Sequence, residues 1–329
     1  MRLAKYWEND SETKRVHCLL CPQDCKIGEG KAGFCRARVN YQGELFSDNY
    51  GKISSIALDP IEKKPLYHYK PGSFILSVGS YGCNLRCLYC QNYSISQQKV
   101  STRFFDPESI LPLLDRFENN IGIAFTYNEP LIWYEYVYDV AKLIKENKPD
   151  ASVVLVTNGF INQKPLEDLL PYVDALNIDL KSFTDETYKR LCKGRLEPVM
   201  QTILKAKKHC HVEVTTLVVT EENDSLAEIQ ILAQFLGSID KNIPLHLSRY
   251  YPNFLLKKPV TPINTLQEAN NLAKKYLNYV YIGNCPEADT NTYCPSCGKL
   301  LVERKFYQTK NYLRNPICPE CRSEIPIIL

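Results

Sequence analysis

Fourteen residues, Gly79 to Asn92 (GSYGCNLRCLYCQN), constrain this chain more than any others. They hold Cys83, Cys87 and Cys90 in a C-x3-C-x2-C spacing, directly behind the apolar run Phe74-Ile75-Leu76-Ser77-Val78. Three thiolates this close can converge on one small, soft object: zinc, copper(I) or an iron–sulfur cluster. A closed zinc site or an ordinary cubane needs a fourth ligand, and Gln91 to Gly122 contains no cysteine. Three cysteines on a [4Fe–4S] cube leave one iron open, which suits a site that binds a substrate. Gly79 and Gly82 permit a sharp turn between strand and cysteine loop. The plainer alternative, thiols packed in a core or along a helix face at i, i+4 and i+7, fits so compact a set less well.

The 329 residues are long enough for about two domains or one α/β barrel with additions, and for a large core. A net charge of +3 does not by itself call for nucleic acid or a membrane surface. No apolar run approaches the length of a membrane span, and the start, MRLAKYWENDSETKR, is too polar for a signal peptide. A cytoplasmic location is expected. There, fourteen cysteines read as metal ligands before disulfides. Eleven fall in three tight groups; Cys192, Cys210 and Cys285 stand apart and read as small buried hydrophobes.

The first group, Cys18, Cys21, Cys25 and Cys35, has the spacing C-x2-C-x3-C-x9-C. Four thiolates can close a tetrahedral zinc site or hold a second iron–sulfur cluster, with zinc the preferred reading. Tyr41 to Leu58 alternates like a small hairpin. Asp59 to Ser73, with Pro60, Pro65 and Pro71, reads as a turn-rich connector in which His68, between two tyrosines, either packs among aromatics, the preferred reading, or faces the active site. The last group forms two C-x2-C knuckles, Cys294/Cys297 and Cys318/Cys321, the pattern of a zinc ribbon with a hairpin between. Its basic residues Arg304, Lys305, Lys310 and Arg314, interleaved with Tyr307 and Tyr312, read as a solvated face before a nucleic-acid surface. The expected division is 1–73, 74–283 and 284–329.

Between the cysteine modules, strands are expected at 74–78, 121–126, 152–157, 175–180, 211–219, 243–249 and 279–282. Helices are expected at 107–118, 130–147, 184–192, 224–236 and 265–277, with starts at Asp106-Pro107 and Asp224. This alternation argues a parallel sheet with helical crossovers, doubly wound or barrel-like. Either architecture places function at the C-terminal strand ends. Candidates there are Asn128 and Glu129, whose carboxylate can receive a ligand ammonium or sit at a helix N-terminus. Thr157-Asn158-Gly159 is a polar turn. Asp179 and Lys181 project to one side of their strand, as site residues or as an ion pair. His246 lies in the sixth strand.

With an aromatic residue, Tyr89, before its third cysteine, C-x3-C-x2-C resembles the signature of the radical S-adenosylmethionine (SAM) superfamily. That resemblance implies a [4Fe–4S] cluster on Cys83, Cys87 and Cys90 whose open iron chelates SAM, and reductive cleavage of SAM to a 5′-deoxyadenosyl radical that abstracts hydrogen. It implies SAM contacts from Tyr89, Asn128, Glu129, Thr157, Asn158, Asp179, Lys181 and His246. The Asp179-Leu180-Lys181 run and His246 are similar to those of pyruvate formate-lyase activating enzymes. Asn223 and Asp224 match a Pro-Gly-Asn-Asp turn of that pattern; Glu221 and Glu222 depart from it. CLLCPQDCKIGEGKAGFC, DPIEKKPLYHY, YGCNLRCLYCQN, FTYNEP, VTNGF, NIDLKSF, YIGN and TYCPSCG together resemble the AmmeMemoRadiSam-system radical SAM enzymes over nearly the whole chain. The fold implied is an incomplete parallel (β/α)6-type barrel with small cysteine-rich modules at both ends. The implied cofactors are the cluster, SAM and Zn²⁺. The implied partners are an electron donor such as flavodoxin or ferredoxin, and Memo-family and AMMECR-family proteins; no membrane or nucleic-acid partner is expected. Two alternatives stand beside this reading: a glycyl-radical-enzyme activase, and a zinc-rich binding scaffold without catalysis.

Overall fold

A computed structural model describes residues 1–10, 13–98, 100–305 and 308–329; Tyr307 of the ribbon's basic stretch lies outside them. An eight-stranded sheet organises the chain: β1 (Ser55–Pro60), β2 (Phe74–Gly79), β3 (Asn120–Phe125), β4 (Ser152–Thr157), β5 (Ala175–Asp179), β6 (His211–Val218), β7 (Leu245–Arg249) and β8 (Val280–Gly283). Strands β2 to β8 are parallel, and β1 joins antiparallel to β2, Ser55 opposite Gly79 and Pro60 opposite Phe74. Among the described residues six helices longer than one turn fill the crossovers: α1 (Ile110–Asp115), α2 (Tyr134–Asn147), α3 (Gln163–Leu169), α4 (Leu196–Ala206), α5 (Leu226–Ile239) and α6 (Ile263–Ala273). Spatial order follows chain order without a reversal. A doubly wound sheet reverses direction at a switch point, so the alternation resolves to an open, barrel-like arc.

The expected strands are all present; two helices, α3 and α4, were not expected. Each carries a proline, Pro165 or Pro198, in its first turn. That residue reads as a breaker in sequence, yet it is tolerated where the backbone N–H has no intrahelical partner. Pro107 does open a helical turn after Asp106. The start expected at Asp224 falls one residue later, where the Ser225 side chain accepts a hydrogen bond from the Glu228 N–H.

The barrel interior has two halves. On one side Ile75, Ala124, Val154 and Ala175 pack against Ile61, Leu66 and Tyr69 of the connector, which plugs the N-terminal end of the strands. The other half is polar and built around Asn177, Glu213 and Tyr281; Asn177 Nδ2 donates to the Pro65 carbonyl at 2.9 Å. The hairpin expected within Tyr41–Leu58 is shorter and earlier, Arg38–Tyr41 with Glu44–Ser47, because Ser55–Pro60 leaves to become β1.

Two three-stranded antiparallel sheets make up the N-terminal residues, docked on α2 by a buried ion pair, Arg38 Nη1 to Glu135 Oε1 at 2.9 Å. The C-terminal ribbon, Thr292–Tyr293, Leu300–Lys305 and Gln308–Asn311, has its own small core of Leu301, Val302, Leu313, Ile325 and Ile327. One of its basic residues corrects the expectation of a solvated face. Arg304 is 6% exposed, donates to the Tyr67 carbonyl at 2.6 Å and lies over the Tyr67 ring. Among the described residues no helix is long and apolar enough to cross a membrane.

Candidate active site

The C-terminal strand ends enclose a cavity of about 720 Å³. The eleven residues singled out at the cysteine loop and strand ends all line it: Cys83, Cys87, Tyr89, Cys90, Asn128, Glu129, Thr157, Asn158, Asp179, Lys181 and His246. Strand β2 delivers the cysteine loop through two glycines with no room for a side chain. A Cβ on Gly79 would stand 2.7 Å from the Thr126 carbonyl oxygen; one on Gly82, at φ +89°, would stand 2.5 Å from that of Cys35.

No cysteine in the chain is in a disulfide. Cys83 Sγ accepts hydrogen bonds from the Leu85 N–H at 3.3 Å and from Asn158 Nδ2 at 3.6 Å. Burial pushes the Cys83 thiol well up, reinforced by Glu129 and Cys87. Cys87 is raised first by its hydrogen bond with Cys192 and then by burial, and Cys90 by burial. Crowded, buried thiols of this kind ionise only against a compensating cation. Among the described residues these three sulfurs do not lie within 4.8 Å of one another, too open for a single ion. Unpaired, lining one cavity and with N–H donors on Cys83, they fit a larger iron–sulfur cluster, and the cavity leaves a further coordination position reachable.

Glu129 faces the cavity at 2% exposure, so burial pushes its carboxyl up to about 7. Its oxygens are fixed by Thr157 Oγ1 (2.7 Å), the Asn158 N–H (2.8 Å) and the Leu131 N–H (2.9 Å). It is therefore both the cap of the turn Pro130–Trp133 and a wall of the cavity. Asn128 clamps the same corner, accepting from the Ser80 N–H at 2.9 Å and donating to the Gly82 carbonyl at 3.0 Å. Asn158 Nδ2 also donates to Asn84 Oδ1 at 2.9 Å, tying β4 to the cysteine loop.

Asp179 and Lys181 meet at 3.0 Å at the end of β5. Burial opposes the charge on Lys181, but Asp179 and the thiols of Cys87 and Cys192 outweigh it and hold the ammonium well above its usual range. Asn223, from the loop after β6, supports this corner by donating to the Lys181 carbonyl at 2.7 Å. Glu221 and Glu222 of that loop engage Lys258 and Arg190. His246 lies edge-on to Tyr67, ring centroids 4.7 Å apart. His68 is fully buried below the cavity, as the packed-connector reading expects.

Cys192 is buried in the core, as expected, and also meets the cysteine loop. It ends a single π-turn, Tyr188–Cys192, with its sulfur 3.2 Å from the Tyr89 hydroxyl and its carbonyl accepting from the Arg86 N–H at 2.7 Å. Its contact with a loop about a hundred positions away leaves no periodicity to read.

The ribbon cysteines Cys294, Cys297, Cys318 and Cys321 bring their sulfurs within 4.8 Å of one another. The Cys294–Cys321 and Cys297–Cys318 separations are 3.5 and 3.7 Å. A tetrahedron of thiolates about 2.3 Å from a central ion has edges of about 3.8 Å, so this quartet fits a metal. Among the described residues the N-terminal quartet does not close that tightly. Cys18, Cys21 and Cys35 are buried and Cys25 half-buried; burial pushes Cys35 up to about 11. Its module packs on the cysteine loop through Gln23 Nε2 to the Asn84 carbonyl (2.8 Å), while Arg86 bridges the Cys83 and Phe34 carbonyls.

Residues 77–235 match the family model described as the Radical SAM superfamily, a span that covers β3 to β6 and the cysteine loop. The chain is 43% identical to an uncharacterized protein of Methanocaldococcus jannaschii over 100% of both chains. It is 27% identical to the pyruvate formate-lyase-activating enzyme of Clostridium pasteurianum, over 52% of this chain and 72% of that one. Among solved structures, a radical SAM methyltransferase from Sphaerobacter thermophilus superposes with a TM-score of 0.51 at 13% identity, covering 70% of this chain and 71% of that one, a likeness of fold alone. The family model sits on the very strands whose ends carry the cysteine-lined cavity, and the chain belongs to the Radical SAM superfamily.

Proposed function

We propose that Cys83, Cys87 and Cys90 hold a [4Fe–4S] cluster and that SAM occupies the adjoining cavity, with Glu129 receiving its amino group. The observation that carries this reading is the convergence of three unpaired thiols, a buried carboxylate and the Asp179–Lys181 pair on one cavity. When bound, the cluster supplies the electron that cleaves SAM reductively, generating the 5′-deoxyadenosyl radical that abstracts hydrogen from a substrate.

The chain's own residues bind, orient and shield. Thr157 and the Asn158 N–H fix the Glu129 oxygens toward an incoming ammonium, as a charge-assisted hydrogen bond requires. Asp179 and Lys181 offer a carboxylate and an ammonium to the polar groups of the nucleoside or amino acid. Tyr89 and Cys192 back the loop behind Cys87. Tyr67 and the connector close the cavity from below, keeping water from a reactive intermediate. The substrate is a protein segment or an aromatic small molecule. Flavodoxin or ferredoxin is the proposed electron donor, and the AmmeMemoRadiSam system the proposed subfamily, with Memo-family and AMMECR-family proteins as partners in the cytoplasm. The ribbon quartet is assigned Zn²⁺, and the N-terminal quartet Zn²⁺ or a second cluster. The division into 1–73, 74–283 and 284–329 is kept as a proposal, with β1 the part of the first segment that enters the sheet.

A glycyl-radical activase is the second reading, favoured by the match to an activating enzyme over 72% of that enzyme's length. Incubation with a candidate glycyl radical enzyme that yields no glycyl signal by electron paramagnetic resonance counts against it.

The test is anaerobic reconstitution with iron and sulfide, followed by SAM and a strong reductant. Wild type should release 5′-deoxyadenosine, and Cys87→Ala should lose both the cluster and the product while retaining its zinc. Product from Cys87→Ala would sink the cluster assignment.

A further inference from the structure

Beneath the cavity lies a charged group that the proposed chemistry does not use. Glu213, in the middle of β6, is fully buried, yet its carboxylate is shielded from protonation by a ring of donors. His246 Nε2 lies 2.6 Å from Oε2; His211 Nε2 and the His68 backbone N–H lie 2.9 and 2.7 Å from Oε1. A buried carboxylate is costly unless it is paired and hydrogen-bonded, and here three donors from three segments supply that compensation. Burial alone would raise the Glu213 carboxyl, but the two imidazoles outweigh it and lower it well below the usual carboxylate range.

The geometry has a consequence for His246. A carboxylate accepts and cannot donate, so the imidazole must place its proton on Nε2. In the neutral ring the second nitrogen, Nδ1, is then a lone-pair acceptor. His246 lines the cavity, so Nδ1 is the nitrogen available to a bound molecule. The tautomer of an imidazole is set by the hydrogen bond its other nitrogen makes.

We infer that Glu213 is a positioning residue that locks His246 in the Nε2–H tautomer, so that His246 Nδ1 accepts a hydrogen bond from a hydroxyl or amino group of the molecule in the cavity. This rests on the reading that SAM occupies the cavity, and it specifies the chemistry of one wall: a neutral acceptor, unsuited to the SAM carboxylate and suited to a donor on the nucleoside.

Glu213 is itself held from outside the barrel. The fully buried His68, whose backbone donates to Glu213, is pinned by its ring: Nδ1 is 3.1 Å from the Pro326 carbonyl and Nε2 is 2.7 Å from the Tyr281 hydroxyl. Tyr281 in turn meets Thr292 Oγ1 at 2.8 Å, and Arg304 Nη1 donates to that same oxygen at 2.8 Å. The positioning chain thus runs from the ribbon through the connector to the cavity wall.

Only five histidines are present, so selective ¹⁵N-imidazole labelling gives a small set of signals. In the protein loaded with its oxidised cluster, His246 should be the Nε2–H tautomer, and SAM should move its Nδ1 resonance in the direction of hydrogen-bond acceptance. Glu213→Gln can keep its oxygen toward His68 and His211 and present its NH₂ to His246. That forces the Nδ1–H tautomer and should raise the SAM dissociation constant about tenfold, measured by equilibrium dialysis. Wild-type His246 found as the Nδ1–H tautomer or as imidazolium overturns the inference, whether or not Glu213→Gln folds. So does a Glu213→Gln protein that switches tautomer yet binds SAM unchanged. His246→Ala separates the two levels. Unchanged SAM affinity in His246→Ala removes the residue from the SAM site, whereas weakened binding beside a wild-type Nδ1–H tautomer removes Glu213's role alone.

Discussion

A carboxyl group buried as deeply as that of Glu129 makes the cavity pH-sensitive. Its folded value of about 7 lies above the 4.5 of an ordinary glutamate, so the folded chain holds this proton more tightly than the unfolded chain does. Linkage then sets the sign: the contribution is most favourable below about 4.5 and is lost as pH rises through 7, a difference of order 3 kcal/mol. In ligand-free protein, Glu129→Gln should flatten that loss in urea titrations at pH 5 and pH 8. An incoming ammonium has the opposite preference, for the ionised form. SAM affinity should therefore climb between pH 6 and 8 in wild type and show no such limb in Glu129→Gln, whose affinity at pH 8 should fall by roughly tenfold or more. A pH-independent wild-type affinity would remove Glu129 from ammonium recognition.

At the level of the elements, the cysteine loop and the N-terminal module behave as one unit, because Gly82 brings the two backbones into contact. Gly82→Ala combines a left-handed φ with a collision against the Cys35 carbonyl, and should cost about 2 kcal/mol or more by denaturant unfolding. Iron content after reconstitution should fall with it. Full iron loading in this variant would mean the loop tolerates displacement from the module. Ser225→Ala, at a residue that does not line the cavity, should cost about 1 kcal/mol through loss of the α5 cap and leave iron loading unchanged.

The same scale shows what could be read in advance. Buried parallel strands appear as near-continuous apolar runs, so β2 to β8 were legible; the strand-end rule then gave a short list of cavity residues, and the resemblance to the radical SAM signature added Tyr89 and His246 to it. Edge strand β1 was not: Ser55 to Leu58 fell within the hairpin expected over Tyr41–Leu58, and Asp59 and Pro60 read as connector. Glu213 stood in plain view in HVEVTTLVV, an acidic residue inside an apolar strand. His211, two positions earlier on the same strand face, was equally visible, but the partners at positions 68 and 246 are brought in only by the fold. The contact of Cys192 with Tyr89 was hidden for the same reason.

For the whole molecule, the ribbon is more than an appendage, since Arg304, Thr292 and Pro326 reach the residues that underlie the cavity. Structural metal sites of this type contribute folding free energy directly, about 10–16 kcal/mol in isolated zinc modules. Stripping the ribbon metal with a chelator should therefore lower the melting temperature and weaken SAM binding several-fold, while far-ultraviolet circular dichroism still reports the central helices and strands. Undiminished SAM affinity in metal-stripped protein would uncouple the ribbon from the cavity floor.

That arrangement also bears on how the molecule is made. Residues 290–328 leave the ribosome after every strand of the barrel, so a nascent chain has all its cavity-lining groups before Arg304 and Pro326 can arrive beneath them. During that interval His68 and Tyr281 lack their outer partners and the polar half of the interior is open to water. On the proposed reading that the four ribbon cysteines take up Zn²⁺, metal capture comes after every barrel strand and completes the support beneath the cavity.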